Sequence, residues 1–206
     1  MLANLTIKDF MNDLASNSPA PGGGSVAAMC GATAGNLIAM VASLTIGKKG
    51  YEEVWDEMTD LKSKMENISM EFLNLMDDDA NSYQTLIQCF RLPKETDEEK
   101  TSRTVAIQAA TIEATLVPLA IANRASTLFN YVKFIIEKGN KNAVSDAGVA
   151  ALMAKTTILG ALYNVKINVS SIKPEKVKIG FLERAKVLEK QAIKEEEEIQ
   201  RLLSSL

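Results

Sequence analysis

The sequence predicts an all-α protein: a single domain over residues 1–206, folded as an elongated antiparallel bundle of about six helices. Three observations carry that expectation. Apolar residues recur at i, i+3 and i+4 spacing through most of the chain. The breaks between these stretches are short and marked by Gly, Pro or a capping residue. Residues 25–46 are uncharged and built largely of Ala, Gly, Ser, Thr and Asn, as suits a helix buried on all sides.

Thr6 with Asp9 resembles a capping box, and Ile7, Phe10, Met11 and Leu14 follow at helical spacing in a short helix ending near Asn17. Residues 18–24 form a turn. The small-residue helix follows over 25–45, and Gly47 stops it before Lys48 and Lys49. A long helical pattern spans 51–90 and closes at Pro93. Thr96 and Glu99 form a second capping box, opening a helix toward Lys138 that must bend at Pro118, with Gly139 as its C-cap. A fifth helix covers 145–163. The alternation from Asn164 to Asn168 fits a short strand or an extended or helical link. Pro174 suits the first turn of a last helix running to 203, whose acidic run at 195–198 reads as solvated surface. Two of these helices approach about 40 residues, roughly 60 Å each at the helical rise, and rods of that kind need a partner to cover them.

Composition narrows the function. Lysine and arginine total 23 against 26 acidic residues, so a net charge of −3 offers no general field for nucleic acid. Histidine is absent, which excludes His-dependent triads, the usual zinc sites and an imidazole proton shuttle. Proton transfer must use carboxylate, lysine, tyrosine, cysteine or water. Cys30 and Cys89 lack C-x-x-C spacing and read as small buried hydrophobes in a reducing compartment. The N-terminus shows no secretory signal pattern, so a cytoplasmic location is expected. Residues 25–46 are long enough to cross a bilayer, with Gly31 and Gly35 as a G-x-x-x-G pair. Ala, Gly, Ser, Thr and Asn dominate them, however, and no aromatic belt or second span accompanies them, so no membrane partner is expected.

One position breaks the apolar stripe of the long third helix. Leu61, Met65, Ile68, Phe72, Leu75 and Met76 are followed by Asp79, then Tyr83, Leu86, Ile87 and Phe90. Asp78 falls on the polar face with Glu71, Asn74 and Asn81, and Asp77 lies at the edge. A carboxylate in a core position either finds partners or rises in pKa toward neutrality. The raised state is what a general acid needs, while a structural ion pair would look the same in sequence.

The run Pro21, Gly22, Gly23, Gly24, Ser25 leads into a helix. It can bring backbone N–H groups and the positive end of the helix dipole to an anion, or serve as a flexible turn. It is neither a Walker nor a dinucleotide motif. Lys48 and Lys49 complement the dipole at the other end of that helix and offer a patch for an anionic ligand. Arg103 sits where positive charge opposes its helix dipole, which suggests a role elsewhere. Asn140, Asp146, Asn164 and Asn168 flank the fifth helix as caps, turns or ligand-reading groups.

These residues, taken together, resemble a known family. The segments 18–28 (SPAPGGGSVAA), 44–49 (LTIGKK), 77–83 (DDDANSY), 91–94 (RLPK), 98–100 with Arg103, 139–140, 145–148 (SDAG) and 164–168 (NVKIN) occur in family order. They are similar to the C-terminal domain of formiminotransferase-cyclodeaminase and to stand-alone methenyltetrahydrofolate cyclohydrolases. The resemblance implies an all-helical homodimer acting on a one-carbon derivative of tetrahydrofolate, which would carry a polyglutamate tail in some forms. The implied reaction is hydrolysis of 5,10-methenyltetrahydrofolate, or else cyclodeamination of 5-formiminotetrahydrofolate, with no metal and no further cofactor. The formiminotransferase part is missing, so formimino transfer is not expected. The resemblance makes Asp79 the proton donor, and the family commonly has a small residue where Asp78 stands and often an acidic one where Asn81 stands. Substrate contacts are expected from Pro21, Gly22, Gly23, Gly24, Ser25, Lys48, Lys49, Asp77, Arg103, Asn140, Asp146, Asn164 and Asn168.

Overall fold

The structure, a computed structural model, describes residues 1–205. Its elements are α1 (Ile7–Leu14), α2 (Gly23–Ser43), α3 (Trp55–Phe90), α4 (Asp97–Ser126), α5 (Leu128–Lys138), α6 (Val144–Val169) and α7 (Glu175–Ser204). Short 3-10 turns precede α1, α3 and α6. No strand occurs among the described residues.

Helices α2, α3, α4 and α6 form a ring in which α2 and α4 each pack against both α3 and α6. Cross-contacts fix the directions. Gly24 faces Asp79 and Gly31 faces Phe72, so α2 and α3 are antiparallel. Arg124 pairs with Glu71 while Arg103 reaches the Phe90 carbonyl, so α3 and α4 are antiparallel too. Asn168 bonds to Ala114 and Gln108 to Ser171, which reverses α6 relative to α4. The small residues of α2 let its neighbours close in. Phe72, fully buried, lies across Gly31 where any β-carbon would strike its ring. Burying a side chain of that size contributes about 1.5–3 kcal/mol.

Helix α7 docks on the outside of the ring, against α6 chiefly. The acidic run at 195–198 is not a solvated face. Glu196 is buried and bonds Lys155 of α6 at 2.6 Å, while Glu195 and Glu198 both hold Lys133 of α5 at 2.8 Å. Charge complementarity there seats α7.

Several boundaries differ from expectation for physical reasons. Seven α-helices occur among the described residues because the fourth expected helix divides at Thr127, with no break at Pro118. Hydroxyls of Ser126 and Thr127 bond the Asn123 and Arg124 carbonyls at 2.7 and 2.8 Å, competing with the backbone ladder there. Helix α6 runs to Val169, so residues 164–168 are helical rather than extended. Helix α2 begins at Gly23, two residues early, and ends at Ser43, so Lys48 and Lys49 stand in the turn beyond it. Helix α1 stops at Leu14, and Pro174 is the N-cap of α7 rather than part of its first turn. Cys30 and Cys89 are half-buried free thiols rather than fully buried ones.

Three helical stretches, Gly23–Ser43, Asp97–Lys138 and Lys141–Val169, have the length and composition to cross a bilayer. Between 44% and 61% of each apolar window is already buried within the bundle. Charged α3 and α7 pack directly against them.

The ring has an open end. Helix α2 starts at Gly23 and α6 stops at Val169, but α3 and α4 run on together as a two-helix projection. A small separate apolar cluster, Leu86, Ala110 and Ala114 with Cys89 and Ile107, holds that projection. The second half of the α3 stripe is accordingly less covered: Leu86 is buried, yet Tyr83 and Phe90 are 38% and 48% exposed.

Candidate active site

Where the ring loses two helices, a cleft of about 290 Å³ opens. Its walls come from the 19–24 turn, Asp79 and Tyr83 of α3, Ala114 of α4, and Asn164 and Asn168 of α6. A more capacious but open hollow of about 560 Å³ between α4 and α7 is lined by Leu116, Leu119 and Ala120 with Asn123, Thr127, Arg124 and Arg184, and contains no carboxylate. The chemistry gathers in the smaller cleft.

Asp79 sits at the start of α2. The N-cap of that helix is Gly22, which has no side chain to receive the free N–H groups of the first turn. Asp79 takes that place from the neighbouring helix. Its Oδ2 accepts the Ser25 hydroxyl at 2.9 Å, and the Ser25 backbone amide bonds it as well. Ser25 is fully buried. Burial pushes the Asp79 carboxyl above the usual carboxylate range, and the two bonds from Ser25 pull the other way without cancelling it. The positive end of α2 is therefore directed at a carboxylate of the protein itself.

Gly24 explains the glycine run. A β-carbon on residue 24 would collide with the Asp79 carboxylate, so only glycine permits this approach. At Gly23 a β-carbon would meet the Asn164 amide at 3.5 Å, an ordinary contact. The buried Pro21 precedes the run, after a cis Ala20–Pro21 bond.

Asn164 and Asn168 stand one turn apart on α6 and face the same cleft. Asn164 donates its Nδ2 to the Gly160 carbonyl at 3.0 Å, and Asn168 donates its own to the Ala114 carbonyl at 2.7 Å. Each amide thus anchors its Nδ2 on a backbone carbonyl and keeps Oδ1 to accept. With Asp79 and the Tyr83 hydroxyl, they make a cleft rich in acceptors.

The structure separates the expected site residues into groups. Gly22, Gly23, Gly24, Ser25, Asp79, Asn164 and Asn168 come together, with Pro21 beside them. Lys48, Lys49, Asn140 and Asp146 lie at the opposite end of α2 and α6, about 30 Å away at the helical rise. There the Lys48 ammonium bonds Asn140 Oδ1 at 2.6 Å, and Asn140 also bonds the Leu44 carbonyl and the Thr45 hydroxyl. Asp146 lies in the first turn of α6. Asp77 points away from the cleft and accepts the Leu2 backbone N–H at 2.6 Å, tethering the N-terminal turn. Arg103 donates to the Phe90 carbonyl at 3.0 Å, which caps α3 and accounts for its place against its own helix dipole.

Sequence reasoning passed over Pro19, Ala20, Ser82, Tyr83, Ala114 and Ile167, all of which line the cleft. Tyr83 carried a signal, since it stands one helical turn after Asp79 on the same stripe. Ala114 carried none. Among the described residues no three metal-ligating side chains converge.

Comparison with known proteins agrees with this architecture. The family model described as Formiminotransferase-cyclodeaminase matches residues 6–187. The chain is 40% identical over 172 residues to a methenyltetrahydrofolate cyclohydrolase of Methylorubrum extorquens, covering 84% of this chain and 83% of that protein. It is 33% identical over 171 residues to the formimidoyltransferase-cyclodeaminase of Rattus norvegicus, which covers 83% of this chain but only 32% of the longer relative. A solved formiminotetrahydrofolate cyclodeaminase from Thermotoga maritima superposes with a TM-score of 0.88 at 29% identity, covering 100% of this chain and 98% of that one. Since the match takes in every helix that walls the cleft, the chain belongs to the formiminotransferase-cyclodeaminase family.

Proposed function

We propose that this chain is an enzyme of folate one-carbon metabolism that hydrolyses 5,10-methenyltetrahydrofolate to 10-formyltetrahydrofolate. The observation that carries the reading is the half-buried Asp79 carboxylate in a cleft where the Asn164 and Asn168 Oδ1 atoms are left to accept and no cationic side chain stands. The methenyl bridge is an amidinium-like cation, and such a wall favours it electrostatically. The 40% identity to a protein named for this reaction supports it.

The chemistry follows from the position of Asp79. Water adds to the bridging carbon and passes one proton to the Asp79 carboxylate. The bond from that carbon to N5 then breaks, its electrons go to N5, and Asp79 delivers the proton there. The remaining hydroxyl proton leaves to solvent as the formyl group forms on N10. No electrons are exchanged with a second reactant, so the reading calls for no cofactor or metal. A cleft of about 290 Å³ holds the pterin and its bridge and leaves the glutamate tail outside. With no histidine in the chain, Asp79, whose pKa burial raises, is the carboxyl in the cleft placed to move protons.

Cyclodeamination of 5-formiminotetrahydrofolate is the second reading, favoured by full-length superposition on the Thermotoga cyclodeaminase. Protonated Asp79 would then assist departure of ammonia. Incubating the purified protein with each substrate, and following the methenyl chromophore and ammonia release, separates the two. A rate no faster than buffer with both would sink the enzymatic reading.

The same proposal includes a homodimer and a cytoplasmic setting. Side by side, α2 and α6 turn uncharged stripes outward, with Met40 and the C-cap Leu44 on one and Val149, Leu152, Tyr163 and Ile167 on the other. A second copy related by a two-fold axis covers this face. Because the cleft lies at one end of α2 and Lys48 and Lys49 at the other, antiparallel pairing sets the two lysines of each copy beside the cleft of the other. There they would hold the polyglutamate tail.

A further inference from the structure

We propose that Pro118 is a positioning residue for the cleft, acting through the Ala114 carbonyl to hold the Asn168 carboxamide with Oδ1 turned toward substrate. Pro118 is buried in the middle of α4, where proline is the least favourable residue a helix can carry. In an unbroken helix the N–H of residue 118 would bond the carbonyl of residue 114. Proline has no N–H, so that carbonyl is free.

Asn168 fills the gap from α6. Its Nδ2 donates to Ala114 O at 2.7 Å, and both residues line the cleft. A carbonyl can only accept, so this bond determines which end of the amide is which: Nδ2 is held on α4 and Oδ1 is left for the ligand. Asn164 makes the contrast. Its amide bonds a carbonyl of its own helix, Gly160, and needs nothing from α4. Asn168 alone depends on a vacancy that proline creates. The role of its free Oδ1 is to accept an N–H of the bound pterin, and in that respect the inference rests on the folate reading above.

The test pairs two measurements. Pro118→Ala restores the missing donor with a better helix former, so the fold is retained and the melting temperature stays level or rises. The KM for methenyltetrahydrofolate should increase about tenfold with kcat little changed, the loss expected for one hydrogen bond. Asn168→Ala should show the same increase, and the double variant no more than either alone. Separately, the Asn168 side-chain amide protons, identified by their disappearance in Asn168→Ala, should exchange slowly with solvent in the native protein and rapidly in Pro118→Ala. Unchanged KM, or an Asn168 amide equally protected in both proteins, would overturn the proposal. Should the native protein turn over neither folate, the assigned reaction is wrong, and the amide measurement still decides whether Pro118 holds Asn168.

Discussion

Gly24 and Asp79 face each other so closely that no side chain fits between the start of α2 and the carboxylate. Gly24→Ala should therefore displace Asp79, with a stability loss of about 1–3 kcal/mol typical of overpacking. Turnover should fall by about 10²–10⁴, the usual worth of a positioned proton-transfer group. Gly23→Ala, one residue away, meets only ordinary contact with Asn164 and should keep most of both. Steady-state kinetics and thermal melts of the pair check this. Equal behaviour of the two variants would contradict it.

Asp79→Asn tests the half-buried charge. Burial raises the folded-state pKa above that of the unfolded chain, so the folded protein favours the protonated form. The stability contribution of Asp79 is fully present below the unfolded aspartate pKa and is lost as pH rises through the folded value. The neutral variant should thus melt higher than the native protein at neutral pH, and the gap should close on acidification. Activity should be lost at every pH. A gap that does not vary with pH would rule out a raised Asp79.

Ser25→Ala removes one of the bonds that favour the ionised carboxylate, leaving the backbone amide in place. The Asp79 pKa should move further up. For hydrolysis, where ionised Asp79 takes a proton from water, the acid limb of the pH–rate profile should shift to higher pH. A limb that stays where it was would mean another group controls the rate.

Sharing of the site between two copies can be read by complementation. Asp79→Asn and a Lys48→Glu/Lys49→Glu double variant should each turn over polyglutamyl substrate poorly. Mixed and reassociated, they should recover activity, because hybrids contain one cleft with both an intact carboxylate and an intact lysine pair. Mixtures no better than the mean of their parts would place Lys48 and Lys49 outside the site.

Activity should survive exhaustive dialysis against a chelator, since the proposed steps need only water and Asp79. Loss on dialysis with recovery on adding a divalent ion would require a different mechanism.

Much of the frame was legible from periodicity and caps. Thr96 and Glu99 form the capping box their spacing announced, and Asp79 stands out because it interrupts an apolar stripe. What could not be read was which helices end beside which. Lys48 was legible at the far end of α2, but its bond there to Asn140, which follows only after α3, α4 and α5, was not. The glycines suggested a seat for an external anion, and a carboxylate from α3 already fills it. Pro118 suggested a bend, because its compensating donor comes from α6, 50 positions later in the chain. Local pattern reports a helix and its faces. Long-range hydrogen bonds decide what those faces meet.

The open end of the four-helix ring has an evolutionary consequence. The cleft exists because two helices stop while two continue, so its depth is set by where α2 begins and α6 ends rather than by the packing of the core. Lengthening α6 by one turn would close the cavity, and shortening it would deepen it, with the buried layers around Phe72 untouched. Such a frame can trade one ligand for another at its termini while its folding stability is maintained elsewhere.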